Sequence, residues 1–187
     1  MKPLTITTHS AKETQEIARL LAREILRTNT RPVRNQRGVH KLPHERVSGG
    51  NPYHNGQSDF ISNGIKWNGV LVIALEGDLG SGKTTFSQGF AKGLGIKEKV
   101  LSPTFVLLKN YPLQTTHYKL FVHMDAYRLK SAKELQVLGW RDILKDTEAI
   151  VLVEWADRVR RALPKEYIRI LFEFVDEKTR NIIISNF

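Results

Sequence analysis

Cysteine is absent from the 187 residues, which excludes disulfides, thiolate metal sites and cysteine nucleophiles and suits a reducing compartment. Long apolar runs are absent as well. None approaches the ~20 residues that a spanning helix requires, and the opening of the chain lacks the charged-then-apolar order of a signal peptide. A cytoplasmic protein without membrane contact is therefore expected. Acid is scarce beside base: 19 Asp and Glu face 29 Lys and Arg, a formal charge of +10, which invites a nucleic-acid reading. Position tempers that reading, because residues 1–69 carry +6 and residues 70–187 only +4. Most of the excess thus precedes the main apolar runs, and no DNA partner is expected. What is abundant is apolar residues, 41% of the chain, enough to bury a core in one domain spanning 1–187.

The opening TITTHSAKETQEIARLLAREIL predicts a short strand and then a helix. Ser10 fits an N-cap with Glu13 three residues on, and Ile17, Leu20, Leu21 and Ile25 recur at helical spacing. Between Thr28 and Asn68 this pattern stops, and Asn, Gly, Pro, His and Arg dominate. These 41 residues, at net +4, read as a flexible basic insertion. VLVIAL from Val70 is a strand covered on both faces, and Phe86, Phe90 and Leu94 mark a helix that follows. TFVLL (104–108) and LFVHM (120–124) predict strands joined by a hairpin through NYPLQTTHY. AIVLV (149–153) is another buried strand, ADRVRRAL a polar helical piece, and IRILFEF and NIII are strands that can pair. The sum is a small three-layer α/β fold with a mixed parallel and antiparallel sheet.

LEGDLGSGKTTF, Leu75 to Phe86, contains G-x-x-x-x-G-K-[ST] in Gly77, Gly82, Lys83 and Thr84. It follows a buried strand and opens an amphipathic helix, so glycine N–H groups and the helix N-terminus converge on an anion. Gly80 and Gly82 leave room for phosphates, Lys83 can reach β and γ oxygens, and the Thr84 hydroxyl can ligate Mg2+. Such a loop needs an acid for its metal and a group to orient water. Asp125, ending LFVHMD, and Glu154, ending IVLVE, are the two strand-end candidates. In SPTF (102–105), Ser-Pro is an ordinary turn opener, but Thr104 can sense a γ-phosphate as switch loops do.

GDLGSGKTTF, SPTF, HMDAYRL, ELQVLGWRDIL and VEWADR followed by LP resemble, in order from about Val70 onward, the bacterial TsaE family, formerly YjeE. The HSAKET helix fits the start of that family too. The resemblance implies the P-loop NTPase fold and a weak Mg2+-dependent ATPase of tRNA threonylcarbamoyladenosine synthesis, working with the TsaB–TsaD complex. In that complex TsaD joins the threonylcarbamoyl group to adenosine 37 of tRNA, so tRNA contact is indirect. Carried over by motif, Asp78, Leu79, Gly80, Ser81, Gly82, Lys83, Thr84 and Thr85 hold the ATP phosphates, with Thr84 and Glu154 on the Mg2+ side. Asp125 is the acid needed for hydrolysis and Thr104 the switch threonine. Trp155 is either close to the nucleotide or a core tryptophan, and Arg180 in KTRNIII either reaches the nucleotide or is a surface arginine. Ala11, at the start of the first helix, is a further nucleotide contact.

The departure from the family pattern is the insertion. Its charge and its aromatics Tyr53, Phe60 and Trp67 allow an RNA or partner contact, while a tolerated surface loop is the simpler account. His40, His44 and His54 match no metal template by spacing. Two other functions compete on sequence alone. One is a small-molecule P-loop kinase, with Arg158, Arg160 and Arg161 as lid arginines. The other is a nucleic-acid-binding module with an accessory nucleotide site.

Overall fold

The computed structural model describes residues 3–28, 69–103 and 106–186. Its strands are β1 (Leu4–Thr8), β2 (Leu71–Gly77), β3 (Leu108–Pro112), β4 (Leu120–Asp125), β5 (Ala149–Glu154), β6 (Ile168–Phe174) and β7 (Arg180–Asn186). Its helices are α1 (Ala11–Thr28), α2 (Lys83–Gly93), the short α3 (Glu134–Val137) and α4 (Trp140–Ile143), and a 3-10 segment, Ala156–Ala162. The strands form one sheet in the order β1-β7-β6-β2-β5-β4-β3. β6, β2, β5 and β4 are mutually parallel, while β7 and β1 on one side and β3 on the other run antiparallel to their neighbours. The sheet is thus mixed, as expected.

β2 and β5 are continuously apolar because both faces are covered. Leu71, Ile73, Leu75, Ile150 and Leu152 enter one core with Phe86 and Phe90 of α2 and Ile17 and Leu21 of α1. Val72, Ala74, Val151 and Val153 enter the other, under Leu135, Trp140 and Val159 from the short helices. These are the three layers anticipated from sequence. No helix among the described residues is long and apolar enough to cross a membrane.

Ser10 caps α1 as its sequence suggests: its Oγ accepts the Glu13 N–H at 3.2 Å, while Glu13 Oε2 accepts the His9 N–H at 2.8 Å. Thr28, where the insertion is expected to begin, is the last residue of α1. Residues 29–68 lie outside the described residues.

One strand is displaced from its expected place. Of TFVLL (104–108), Thr104 and Phe105 lie outside the described residues, Val106 and Leu107 form a turn rather than strand, and β3 is LKNYP, Leu108–Pro112. The Pro103 carbonyl accepts the N–H groups of Val106 (3.0 Å) and Leu107 (2.6 Å), and Leu107 adopts φ 64°. That tight turn holds the chain out of the sheet until Leu108. Part of the expected loop NYPLQTTHY therefore becomes strand, with Pro112 tolerated because β3 is an edge.

α1 lies directly on α2, and the contact is closest at Gly89. A Cβ there would sit 2.2 Å from the Gln15 carbonyl oxygen. A mid-helix glycine weakens a helix by roughly 0.5–1 kcal/mol relative to alanine, so the close approach explains its presence here. Gly89→Ala is accordingly expected to lower stability, since overpacking costs about 1–3 kcal/mol and outweighs the propensity gain. Urea unfolding of parent and variant checks this; an unshifted midpoint would mean that the helices part freely.

Candidate functional site

The loop after β2 is shaped by backbone that most residues resist. Gly77 has φ 136°, and a Cβ on it would lie 2.5 Å from the Phe172 carbonyl oxygen of β6. Gly80 (φ 75°) and Gly82 (φ 104°) are also left-handed, and Gly82 is the N-cap of α2. The loop N–H groups and the first turn of α2 are thereby brought to the carboxyl edge of the parallel strands, where ligands of open α/β sheets bind.

Lys83 is buried at the first position of α2. Its Nζ donates to the carbonyls of Gly77 (2.6 Å) and Asp78 (2.7 Å) and to Ser81 Oγ (3.2 Å). It also lies 3.8 Å from the centroid of the Trp155 ring, a cation–π contact. Burial pushes this ammonium below the usual lysine range, opposed by the charges of Glu154, Asp157, Asp78 and Asp125.

The two strand-end acids are brought together. Asp125 and Glu154 are register partners at the ends of β4 and β5, 3% and 1% exposed. Glu154 Oε2 accepts from Thr84 Oγ1 at 2.7 Å, and its Oε1 from Ser87 Oγ at 2.8 Å and lies 2.8 Å from His123 Nε2. Asp125 Oδ2 accepts from Ser102 Oγ at 2.6 Å, and its Oδ1 from the Tyr127 N–H at 2.8 Å. Both acids line a cleft of about 270 Å³ with Leu79, Gly80, Lys83, Thr84, Ser102, Tyr127 and Trp155.

Trp155 is half-buried, at φ 58°, with its ring 5.0 Å from that of Tyr127. It packs against the second core and also lines the cleft. Arg158 lies over both rings, 5.0 Å from Tyr127 and 5.6 Å from Trp155. Arg160 instead pairs with the buried Glu76 at 2.9 Å.

A second cleft, of about 350 Å³, lies across Gly80 from the first and gathers Ala11, Thr85 and Arg180 with Ser10, Thr14 and Lys178. Arg180 Nη2 donates to the Gly80 carbonyl at 3.1 Å, tying β7 to the loop. Asp78 and Leu79 are exposed on the loop, and Ser81 is buried beneath it. Thr104 lies outside the described residues.

Sequence reasoning missed Ser87, His123 and the contact made by Ser102. The signals were available: Ser87 is one helical turn beyond Lys83, and His123 is two residues before Asp125, hence on the same face of β4. Among the described residues no group of three or more His, Asp or Glu side chains forms a metal site of its own. The oxygen set of Thr84, Glu154 and Asp125 nevertheless suits a hard cation that shares its coordination with phosphate, and the one imidazole nearby is turned onto Glu154.

A mixed α/β sheet with a glycine loop, a buried lysine and two buried strand-end acids defines the architecture of a P-loop protein. Residues 8–182 match the family model of threonylcarbamoyl adenosine biosynthesis protein TsaE, and the chain belongs to that family. A relative named tRNA threonylcarbamoyladenosine biosynthesis protein TsaE from Haemophilus influenzae is 37% identical over 113 residues, 60% of this chain and 68% of that protein. The protein of the same name from Bacillus subtilis is 40% identical over 114 residues, 61% of this chain and 68% of its own. The crystal structure of Bacillus subtilis YdiB superposes with a TM-score of 0.61 at 27% identity, covering 98% of this chain and 84% of that one.

The Lys83–Trp155 contact makes the lysine's proton observable. The chain has three tryptophans, so the signal is the emission difference between parent and Trp155→Phe. Lys83 is charged at low pH and loses its proton as pH rises, with a midpoint expected below the ordinary 10.5 because burial lowers it. Between that midpoint and 10.5 the unfolded chain binds more protons, so this residue makes stability rise with pH. The transition should vanish in Lys83→Met; a midpoint at or above 10.5 would show that the nearby acids outweigh burial.

Proposed function

We propose that this chain is the ATP-binding and ATP-hydrolysing subunit of the bacterial machinery that makes tRNA N6-threonylcarbamoyladenosine at position 37. It acts in the cytoplasm with the TsaB–TsaD complex, touching tRNA through that complex, as one P-loop domain over 1–187 with 28–68 inserted. The observation that carries the reading is the convergence of Lys83, Thr84, Asp125 and Glu154 on one cleft beside the glycine loop. Membership of the TsaE family supports the pathway.

Loop N–H groups from Asp78 to Thr85 cradle the phosphates, and the Lys83 ammonium exchanges its carbonyl partners for phosphate oxygens. Thr84, by donating its proton to Glu154, leaves its oxygen lone pairs for the cation. Mg2+, when bound, would supply positive charge to offset the negative charge on the phosphate oxygens. Asp125, fixed by Ser102 and the Tyr127 N–H, orients the water that attacks the γ-phosphate in line. Trp155, Ala11 and Arg180 contact the rest of the nucleotide from the walls of the two clefts. Thr104 is assigned as the γ-phosphate sensor on sequence alone.

ATPase measured alone and then with purified TsaB and TsaD tests the reading: low activity alone and strong stimulation by the pair are expected. Asp125→Asn should lower kcat by about 10²–10⁴-fold while nucleotide affinity stays within a few-fold. Phosphate should be released to water; a phosphorylated small-molecule acceptor would establish the kinase instead. In that kinase Arg160, committed to Glu76, would not serve as a lid arginine.

A further inference from the structure

Glu154 has two oxygens with different surroundings. Oε2 shares a hydrogen bond with Thr84 at the cleft, while Oε1 is met behind it by Ser87 and His123. His123 is fully buried in β4, its ring 6.2 Å from that of Phe121 and nearly parallel to it. No step of the hydrolysis described above uses it.

The donor arithmetic at Oε1 is restrictive. A carboxylate has no proton to give, so the imidazole must donate through Nε2–H. Nδ1 is buried and has no hydrogen-bond partner, so the ring's only polar engagement among these contacts is with Glu154. Ser87 has one hydroxyl proton and two acceptors, Glu154 Oε1 at 2.8 Å and the Lys83 carbonyl at 3.0 Å. The charged acceptor is the stronger, and its choice leaves the Lys83 carbonyl to the helix. Together the two donors occupy Oε1 and fix the carboxylate plane.

We infer that His123 and Ser87 are positioning residues that hold Oε1 of Glu154 so that Oε2, paired with Thr84, is the oxygen presented to the cation. The inference rests on the Mg2+–nucleotide reading of the cleft. Outer-shell partners of this kind orient a ligand before the metal arrives, and their loss typically weakens metal affinity by 10–100-fold. Phe121, one alternation earlier on the same face of β4, is core, so an apolar ring would suit position 123 for packing alone.

The test uses the full chain with ADP and Mg2+ as probes. ADP affinity is measured by calorimetry in EDTA, and the Mg2+ concentration giving half of the metal-dependent change is then titrated. His123→Phe, which keeps ring volume and removes the donor, and Ser87→Ala, which removes only a hydroxyl, are compared with the parent after circular dichroism confirms folding. The expected result is an ADP affinity in EDTA within about twofold of the parent, a Mg2+ midpoint raised about tenfold, and partial recovery in His123→Gln, whose amide supplies an N–H. A Mg2+ midpoint within twofold of the parent in the variants that fold would overturn the positioning role while leaving the nucleotide site intact. Equal losses in EDTA and in Mg2+ would also overturn it, showing that these residues shape the loop instead. A parent that binds ADP without any Mg2+ dependence, or not at all, would defeat the nucleotide reading and this inference with it. If His123→Phe does not fold, Ser87→Ala decides the outcome.

Discussion

A carboxylate that is 1% exposed holds this site together. Removing a charge from water costs several kcal/mol per ion unless hydrogen bonds replace the solvent, and Glu154 recovers its losses from three side chains. Two of them, Thr84 and Ser87, stand on the first turns of α2, and the third, His123, stands on β4. Satisfying one acid therefore fixes the start of α2 against two strands of the sheet. The loop from Gly77 to Gly82 is held at one end by β2 and at the other by this cluster, which is why a run rich in glycine can keep one shape. Deleting one donor would leave a buried charge short of a partner, the costly case for such groups.

Legibility in the sequence followed the range of the interactions involved. β2 and β5 were readable because burial on both faces writes a continuous apolar run, and α1 because its cap and apolar stripe are local. The loop was readable because its chemistry needs fixed residues at fixed spacing. β3 was misplaced because, although Ser-Pro marks a turn opener, the two N–H groups that the Pro103 carbonyl accepts carry that turn to Leu107, an extent no residue signals. The short α3 and α4 were not foreseen as helices: each is one turn long and is stabilised by Leu135 and Trp140 docking on the core rather than by its own period. His123 lay within a quoted motif and Ser87 directly after another, but a serine and a histidine on apolar faces acquire meaning only once Glu154 is placed beside them.

The second cleft shows what sequence order cannot convey. Ala11 and Arg180 are separated by nearly the whole chain, and they meet because β1 pairs with β7, setting Thr8 opposite Arg180. The chain turns from that pair directly into α1, whose amino end then faces the loop. The close packing of α1 on Gly89 of α2 fixes that approach from the other end. The opening strand and helix are thus part of a wall beside Gly80, not an appendage to the sheet.

The two clefts differ in charge, and the difference suits one elongated ligand better than two unrelated ones. On the side of Lys83 and Thr84 stand the carboxylates Asp125 and Glu154, which repel bare phosphate but favour it once a divalent cation is shared. On the other side stand Lys178 and Arg180 against the single acid Glu177, with the hydroxyls of Ser10 and Thr14, a net basic lining that favours an anion or a polar sugar without any metal. Gly80 belongs to both walls, so the loop is the boundary between them. A polyphosphate wrapped by that loop would place its terminal groups against the acids and its remaining portion against the basic wall. On the proposed nucleotide reading this arrangement gives the ligand a direction, because reversing it would set the metal-dependent end against the cations of the second cleft.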